Sequence, residues 1–268
     1  MLLKRVLTAA VLIPLLVVTI LYGRGRPFGL LVAAAVALCA AEYFRMFFPA
    51  LRDRATGILL AGLAYVLGAF LPGHAAGPAL LAVGALAAFH ALPGGGSPAE
   101  KVRSAGLFLI GTLYIGGSLA AWVRTRGLPG GEHWVLAGLV AVAAGDTAAY
   151  FVGRAAGRRP LAPLLSPNKT VEGAAGGLAA SALLGGLYAG RFLPGVAPWF
   201  AWGTCAAVGA VGQAGDLFES LLKRAAGVKD SGAILPGHGG MLDRADAVIA
   251  AGPLLYLLAI LAPLAGSG

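Results

Sequence analysis

Between Glu219 and Asp246 the chain places four acids (Glu219, Asp230, Asp243, Asp246), four bases (Lys223, Arg224, Lys229, Arg244), His238 and five glycines. Carboxylates are hard oxygen ligands suited to Mg²⁺, and ammonium and guanidinium groups bind phosphate. Asp216, Glu219, Ser220 and Lys223 follow the spacing i, i+3, i+4, i+7, which predicts one stripe of a helix. Leu217, Leu221 and Leu222 take the other side, facing lipid or core. Asp216 lies well inside the apolar segment AWGTCAAVGAVGQAGDLFESLL. A carboxylate there is costly and normally faces a watery cavity or a partner charge; a structural salt bridge to Lys223 or Lys169 is the plainer reading.

Other residues add to this set. Asp243 and Asp246, three apart, open the last hydrophobic segment, a position that favours acids in itself. Asp146, in AAGDTAAYF, ends another apolar run. Lys169 sits in LSPNKTVEGAAGG, a turn running into a helix with Thr170 or Asn168 as its cap. Backbone N–H groups at a helix start, with a lysine beside them, suit phosphate. Metal-binding acids, phosphate-binding bases and glycines together predict a site for an Mg²⁺–polyphosphate ligand, and the charges are tolerated because they face an aqueous cavity.

The rest of the chain must hold this site inside a bilayer. Of 268 residues, 59% are hydrophobic and 12% charged, with a mean hydropathy of +0.84. A soluble domain carries about 25% charged residues, so the composition predicts an integral membrane protein. Cys39 and Cys205 are expected to be small core residues rather than a disulfide. A bilayer core needs about 20 apolar residues per helix. Breaks at charged, proline and glycine clusters predict an all-α polytopic bundle of about nine spans, near 6–22, 27–48, 56–72, 77–93, 105–123, 134–152, 172–193, 199–222 and 245–264. The first is read as a retained helix rather than a cleaved signal peptide. Residues 1–140 are expected to be N-terminal membrane helices and 141–268 the catalytic region of one membrane unit. Many of the 42 glycines suit close helix packing.

With nine spans, fourteen of the twenty Lys and Arg residues fall on one side and five on the other, with Arg45 left within or at the end of the second helix. The richer side is expected to be cytoplasmic, with the loops 153–171 and 223–244 both on it. The net charge of +9 suits phospholipid headgroups and nucleotides.

The run Ser220-Leu-Leu-Lys223-Arg224-x4-Lys229-Asp230-x5-Pro236-x-His238-Gly239-Gly240-x2-Asp243-Arg244-x-Asp246 resembles the signature of the phosphatidate cytidylyltransferases, or CDP-diacylglycerol synthases. The stretch GDTAAYFVGRAAGRRPLAPLLSPNKTVEGAAGG is similar to that family's second hallmark, with Val171 where an aromatic is expected. The resemblance covers roughly 145–250. It implies transfer of a cytidylyl group from CTP to phosphatidate, with Mg²⁺, at a bacterial-type inner membrane. On that reading Asp216 and Asp243, then Asp246 and Asp146, would hold metal. Lys169, Ser220, Lys223, Arg224, Lys229 and Arg244 would hold the CTP phosphates or the lipid headgroup. His238 would donate to the leaving pyrophosphate or structure its loop. A homodimer is compatible with this; nucleic acid is not an expected partner. Another lipid phosphate as acceptor stays open. A cation-coupled transporter would need matching broken helices in both halves, whereas the polar chemistry here is confined to the second half. The D-G-x2-A-R type of motif of CDP-alcohol transferases is absent from the sequence.

Overall fold

The computed structural model describes residues 13–22, 25–93, 95–232 and 239–265. Residues 13–21 are helical. The helices that follow are α1 (Arg26–Phe47), α2 (Leu51–Phe70), α3 (Gly73–His90), α4 (Pro98–Arg126) and α5 (Gly131–Ala156). A two-stranded antiparallel hairpin comes next, β1 (Pro160–Ala162) and β2 (Ser166–Thr170). Helices α6 (171–192), α7 (Pro198–Ala225) and α8 (Leu242–Ala265) complete the chain. Among the described residues, six helices, α1 to α5 and Leu242–Ala262 of α8, are long and apolar enough to cross a membrane. The molecule is an all-α polytopic membrane protein apart from the hairpin.

Helix boundaries follow local chemistry. Prolines open α1, α4 and α7, where the missing N–H would have had no helical partner. At the head of α4, Ser97 and Glu100 form a reciprocal capping box, so this helix starts seven residues before the predicted 105. α2 also starts before its predicted first residue, because Arg52, Asp53 and Arg54 form a tolerated first turn. The expected loop 153–171 is shorter than predicted. α5 continues to Ala156, and prolines at 160, 163 and 167 forbid further helix, leaving extended chain that pairs with itself. Residues 6–12 of the first expected helix, 6–22, lie outside the described residues, and 13–21 are helical as expected.

Between lipid-embedded helices the hydrophobic drive is weak, and contact depends on small residues. One core runs from Ile20 to Ala262; both cysteines are buried and free within it. α4 contains a π-helical stretch (Ile110–Gly117) and α6 a shorter one (Ser181–Gly185). In the second, Ser181 donates to the Ala141 carbonyl at 2.7 Å. Gly145 of α5 and Gly209 of α7 both make room for its hydroxyl; a Cβ at either would collide with it. A Cβ at Gly215 of α7 would strike Ala250 and would lie 2.9 Å from the Asp246 carbonyl, both on α8. Gly145 precedes Asp146, and Gly215 precedes Asp216. The close approaches that knit the bundle therefore also bring the acids of three helices toward one end.

Candidate active site

At that end, α5, the hairpin, α6, α7 and α8 surround a cavity of about 660 Å³, within the usual range for a small-molecule site. Among the expected residues, Asp146, Lys169, Asp216, Lys223, Asp243, Arg244 and Asp246 all line it. Arg154 joins them, so four acids face four bases. Thr170 caps α6 by accepting the Gly173 N–H at 3.1 Å, as expected, and also lines the cavity.

Two ion-paired groups dominate. Lys169 Nζ, from the hairpin, lies 2.5 Å from Asp216 Oδ2 on α7, with side chains 28% and 35% exposed. The salt bridge named as the plainer reading of Asp216 is thus formed, but at the wall of the cavity. Deeper in, Lys223 Nζ stands 2.7 Å from both Glu219 Oε2 and Asp243 Oδ1. Glu219 is buried, so one ammonium serves two carboxylates in a poorly solvated place. Asp243 Oδ2 also accepts the N–H groups of Gly240 at 2.9 Å and Ser231 at 3.1 Å.

The helical stripe is realised with a change of members. Asp216 and Lys223 reach the cavity and Glu219 backs Lys223, whereas Ser220 is half-buried and does not line it. Arg224 and Lys229 are exposed and also outside the lining. His238 lies outside the described residues.

The donor chemistry fits Mg²⁺. Asp146, Asp216 and Asp246 come from three helices and line one cavity. Among the described residues Asp146 has no ion-pair partner, and Asp246 Oδ1 accepts the N–H of its neighbour Ala247 at 2.7 Å. Among the described residues no three such groups stand in ready-made ion-holding geometry. That is compatible with Mg²⁺, which is commonly held by one or two carboxylates plus substrate phosphates and waters. Asp243, by contrast, already spends both oxygens on Lys223 and two backbone amides.

Glu42, on α1, is a site neighbour that sequence reasoning missed. It is buried and accepts from Ser231 Oγ at 3.0 Å, Met241 N–H at 3.0 Å and Leu242 N–H at 2.9 Å. Its only signal in the sequence is a lone acid within the apolar run LCAAEYF. Arg154 and Gln213 were missed as well; Arg154 donates to Tyr150 Oη at 3.2 Å beside the cavity, and Gln213 donates to the Ala174 carbonyl at 3.2 Å.

The chain is similar to known proteins. A segment of 112 residues, 42% of this chain, is 52% identical to 41% of a phosphatidate cytidylyltransferase of Brucella suis biovar 1 (strain 1330). A segment of 154 residues, 57% of this chain, is 43% identical to 58% of a phosphatidate cytidylyltransferase of Staphylococcus aureus (strain COL). The matches thus span about half the length of these curated relatives. The model of the cytidylyltransferase family matches residues 3–262. With nearly its whole length matched, the chain belongs to the cytidylyltransferase family.

Proposed function

We propose that this protein transfers the cytidylyl group of CTP to phosphatidate, forming CDP-diacylglycerol and pyrophosphate. The observation that carries the reading is the cavity in which Asp146, Lys169, Asp216, Lys223, Asp243, Arg244 and Asp246 meet at one end of a membrane bundle. The names of the relatives support it.

The chemistry needs little from a general base. A phosphate monoester has its second pKa at about 6 and is largely dianionic near neutral pH. One of its oxygens attacks the α-phosphorus of CTP, a P–O bond forms there, and the bridging bond to the β-phosphate breaks. Pyrophosphate leaves with that electron pair. The protein must position two anions and offset their repulsion. Lys169, Arg244 and Arg154 line the cavity for that purpose. Lys223, held by Glu219 and Asp243, supplies a fixed positive charge in their midst. Asp216, with Asp146 and Asp246, would hold Mg²⁺, which when bound neutralises phosphate charge. In this reading Asp243 serves through Lys223 rather than as a first ligand. Arg224 and Lys229, exposed outside the cavity, suit anionic headgroups at the membrane surface.

The cavity end is assigned to the cytoplasmic face of a bacterial-type inner membrane, on the basic-residue asymmetry. In this reading the nine-span topology is retained: the expected first helix, 6–22, with α6 and α7, joins the six apolar helices, and the hairpin and the 223–244 segment would then share one side. The test is pyrophosphate release from CTP by the purified protein, with phosphatidate, with polyprenol phosphate and with neither. Release that requires phosphatidate, with CDP-diacylglycerol seen by mass spectrometry, is the expected result. Release with polyprenol phosphate alone moves the acceptor to another lipid phosphate, and no release with either sinks the reading.

A further inference from the structure

We propose that Glu42 is a positioning residue that ties the N-terminal helices to the candidate active site by holding both flanks of the 233–238 segment. This rests on the proposed function for its kinetic test, but not for its structural one. Glu42 lies on α1 between fully buried neighbours, Tyr43 and Phe44 on one side and Ala40 on the other. It has no ion-pair partner among the described residues. A buried carboxylate in that condition is costly unless hydrogen bonds replace its water. Three donors do so here, and all come from two short stretches about 190 to 200 residues away in sequence: Ser231 before the segment, Met241 and Leu242 after it.

The glycines around the carboxylate show that the site is fitted to it. A Cβ at Gly232 would lie 2.6 Å from Glu42 Oε1, and one at Gly240 would lie 2.5 Å from Oε2. Neither glycine can gain a side chain without displacing the carboxylate. Asp243 grips the same two stretches from the cavity side, through Ser231 N–H and Gly240 N–H, and pairs with Lys223. The two acids thus clamp one pair of strands of chain from opposite sides. Glu42 faces the apolar bundle, and Asp243 faces the cavity. Releasing Glu42 frees residues 240–242, whose backbone sets where the Asp243 carboxylate, and through it the Lys223 ammonium, stand. A carboxylate that merely offset the dipole of α8 would need Met241 and Leu242 but not Ser231 Oγ or the two glycines.

The test uses the full chain in detergent micelles, comparing wild type, Glu42→Gln and Ser231→Ala well below their melting temperatures. The amide of Gln is nearly the same shape as the carboxylate but offers one acceptor oxygen where the clamp uses two. Expected are a monodisperse Glu42→Gln variant, kcat lower by about 100-fold, as for a misplacement on the order of 1 Å, and KM for CTP changed by no more than about threefold. Amide exchange in the peptide spanning 239–246 should quicken by about tenfold or more. A folded Glu42→Gln variant whose kcat stays within about twofold of wild type overturns the proposal. If Glu42→Gln does not fold, Ser231→Ala removes one arm only and decides the matter: faster exchange and lower kcat support the clamp, and unchanged values refute it. If wild type makes no CDP-diacylglycerol, the functional reading fails by itself, and unchanged exchange in 239–246 is then what refutes the clamp.

Discussion

Lys169 Nζ lies 2.5 Å from Asp216 Oδ2, joining the hairpin to α7 at the wall of the cavity, with both side chains about a third exposed. A pair so hydrated contributes little to stability, on the order of 0–1 kcal/mol, and its members can exchange partners when a metal or a phosphate arrives. Asp216→Asn should therefore change stability by no more than about 1 kcal/mol while abolishing turnover and weakening the Mg²⁺ dependence of any residue of activity. Thermal unfolding in detergent and an Mg²⁺ titration of initial rates check both halves. A variant that unfolds early, yet whose residual activity keeps a normal Mg²⁺ curve, would assign Asp216 to structure alone.

Lys223 should behave in the opposite way. It is 15% exposed between carboxylates that are 2% and 11% exposed, and its removal leaves buried Glu219 without a partner and Asp243 with its backbone N–H donors alone. Lys223→Met is expected to cost about 3 kcal/mol of stability as well as activity. Adding Glu219→Gln to Lys223→Met should recover part of the stability, because one buried charge is then gone, but none of the activity. Melting temperatures of the two variants and their rates provide the comparison; equal melting temperatures would mean that Glu219 does not carry the cost.

The glycine contacts give a geometric prediction on a single helix. Gly215→Ala places a methyl group against Ala250 and the Asp246 carbonyl, so α7 and α8 must separate, moving Asp216 and Asp246 apart. A loss of about 1–3 kcal/mol and a rate loss of about 100-fold are expected. Gly203→Ala, on the same helix with nothing within 4 Å, should retain full activity and gain up to about 1 kcal/mol from helix propensity. Parallel melting curves and initial rates distinguish the two sites, and equal effects would show that the close approach at Gly215 is unimportant.

Topology can be read with cysteines, since Cys39 and Cys205 are both buried. Leu164→Cys at the hairpin turn, where the leucine is 92% exposed, and Asp230→Cys beyond α7 sit at the cavity end. His74→Cys sits at the opposite end, near the start of α3. Ser231 is a poor position for labelling because it is only 7% exposed. An impermeant maleimide applied to intact cells should label only His74→Cys. Labelling of Leu164→Cys from outside would reverse the proposed orientation.

Much of the site was readable in the sequence because its chemistry conflicts with its surroundings. Asp146, Asp216 and Asp246 stand out from apolar helices, and the stripe of Asp216, Glu219 and Lys223 follows from helix periodicity alone. The all-α polytopic class also followed from hydropathy, since a bilayer leaves the backbone few alternatives. Charge near a helix start misled the boundaries of α2 and α4, because a solvated first turn tolerates it. The hairpin in 160–170 carried no alternating pattern, only prolines that exclude helix.

Which charges face one another was decided only by the tertiary structure. The sequence offered Lys169 and Lys223 equally as partners for Asp216; the fold gives Lys169 to Asp216 and Lys223 to Glu219 and Asp243. Ser220 shares the helical stripe of Asp216 and Lys223, yet it does not line the cavity. Glu42 had no local pattern to mark it, since its partners begin 189 residues later. Sequence periodicity determines the face of a helix on which a residue lies, but the packing of glycines such as Gly145, Gly209 and Gly215 determines what that face meets. Those contacts depend on the helices at once rather than on any one of them.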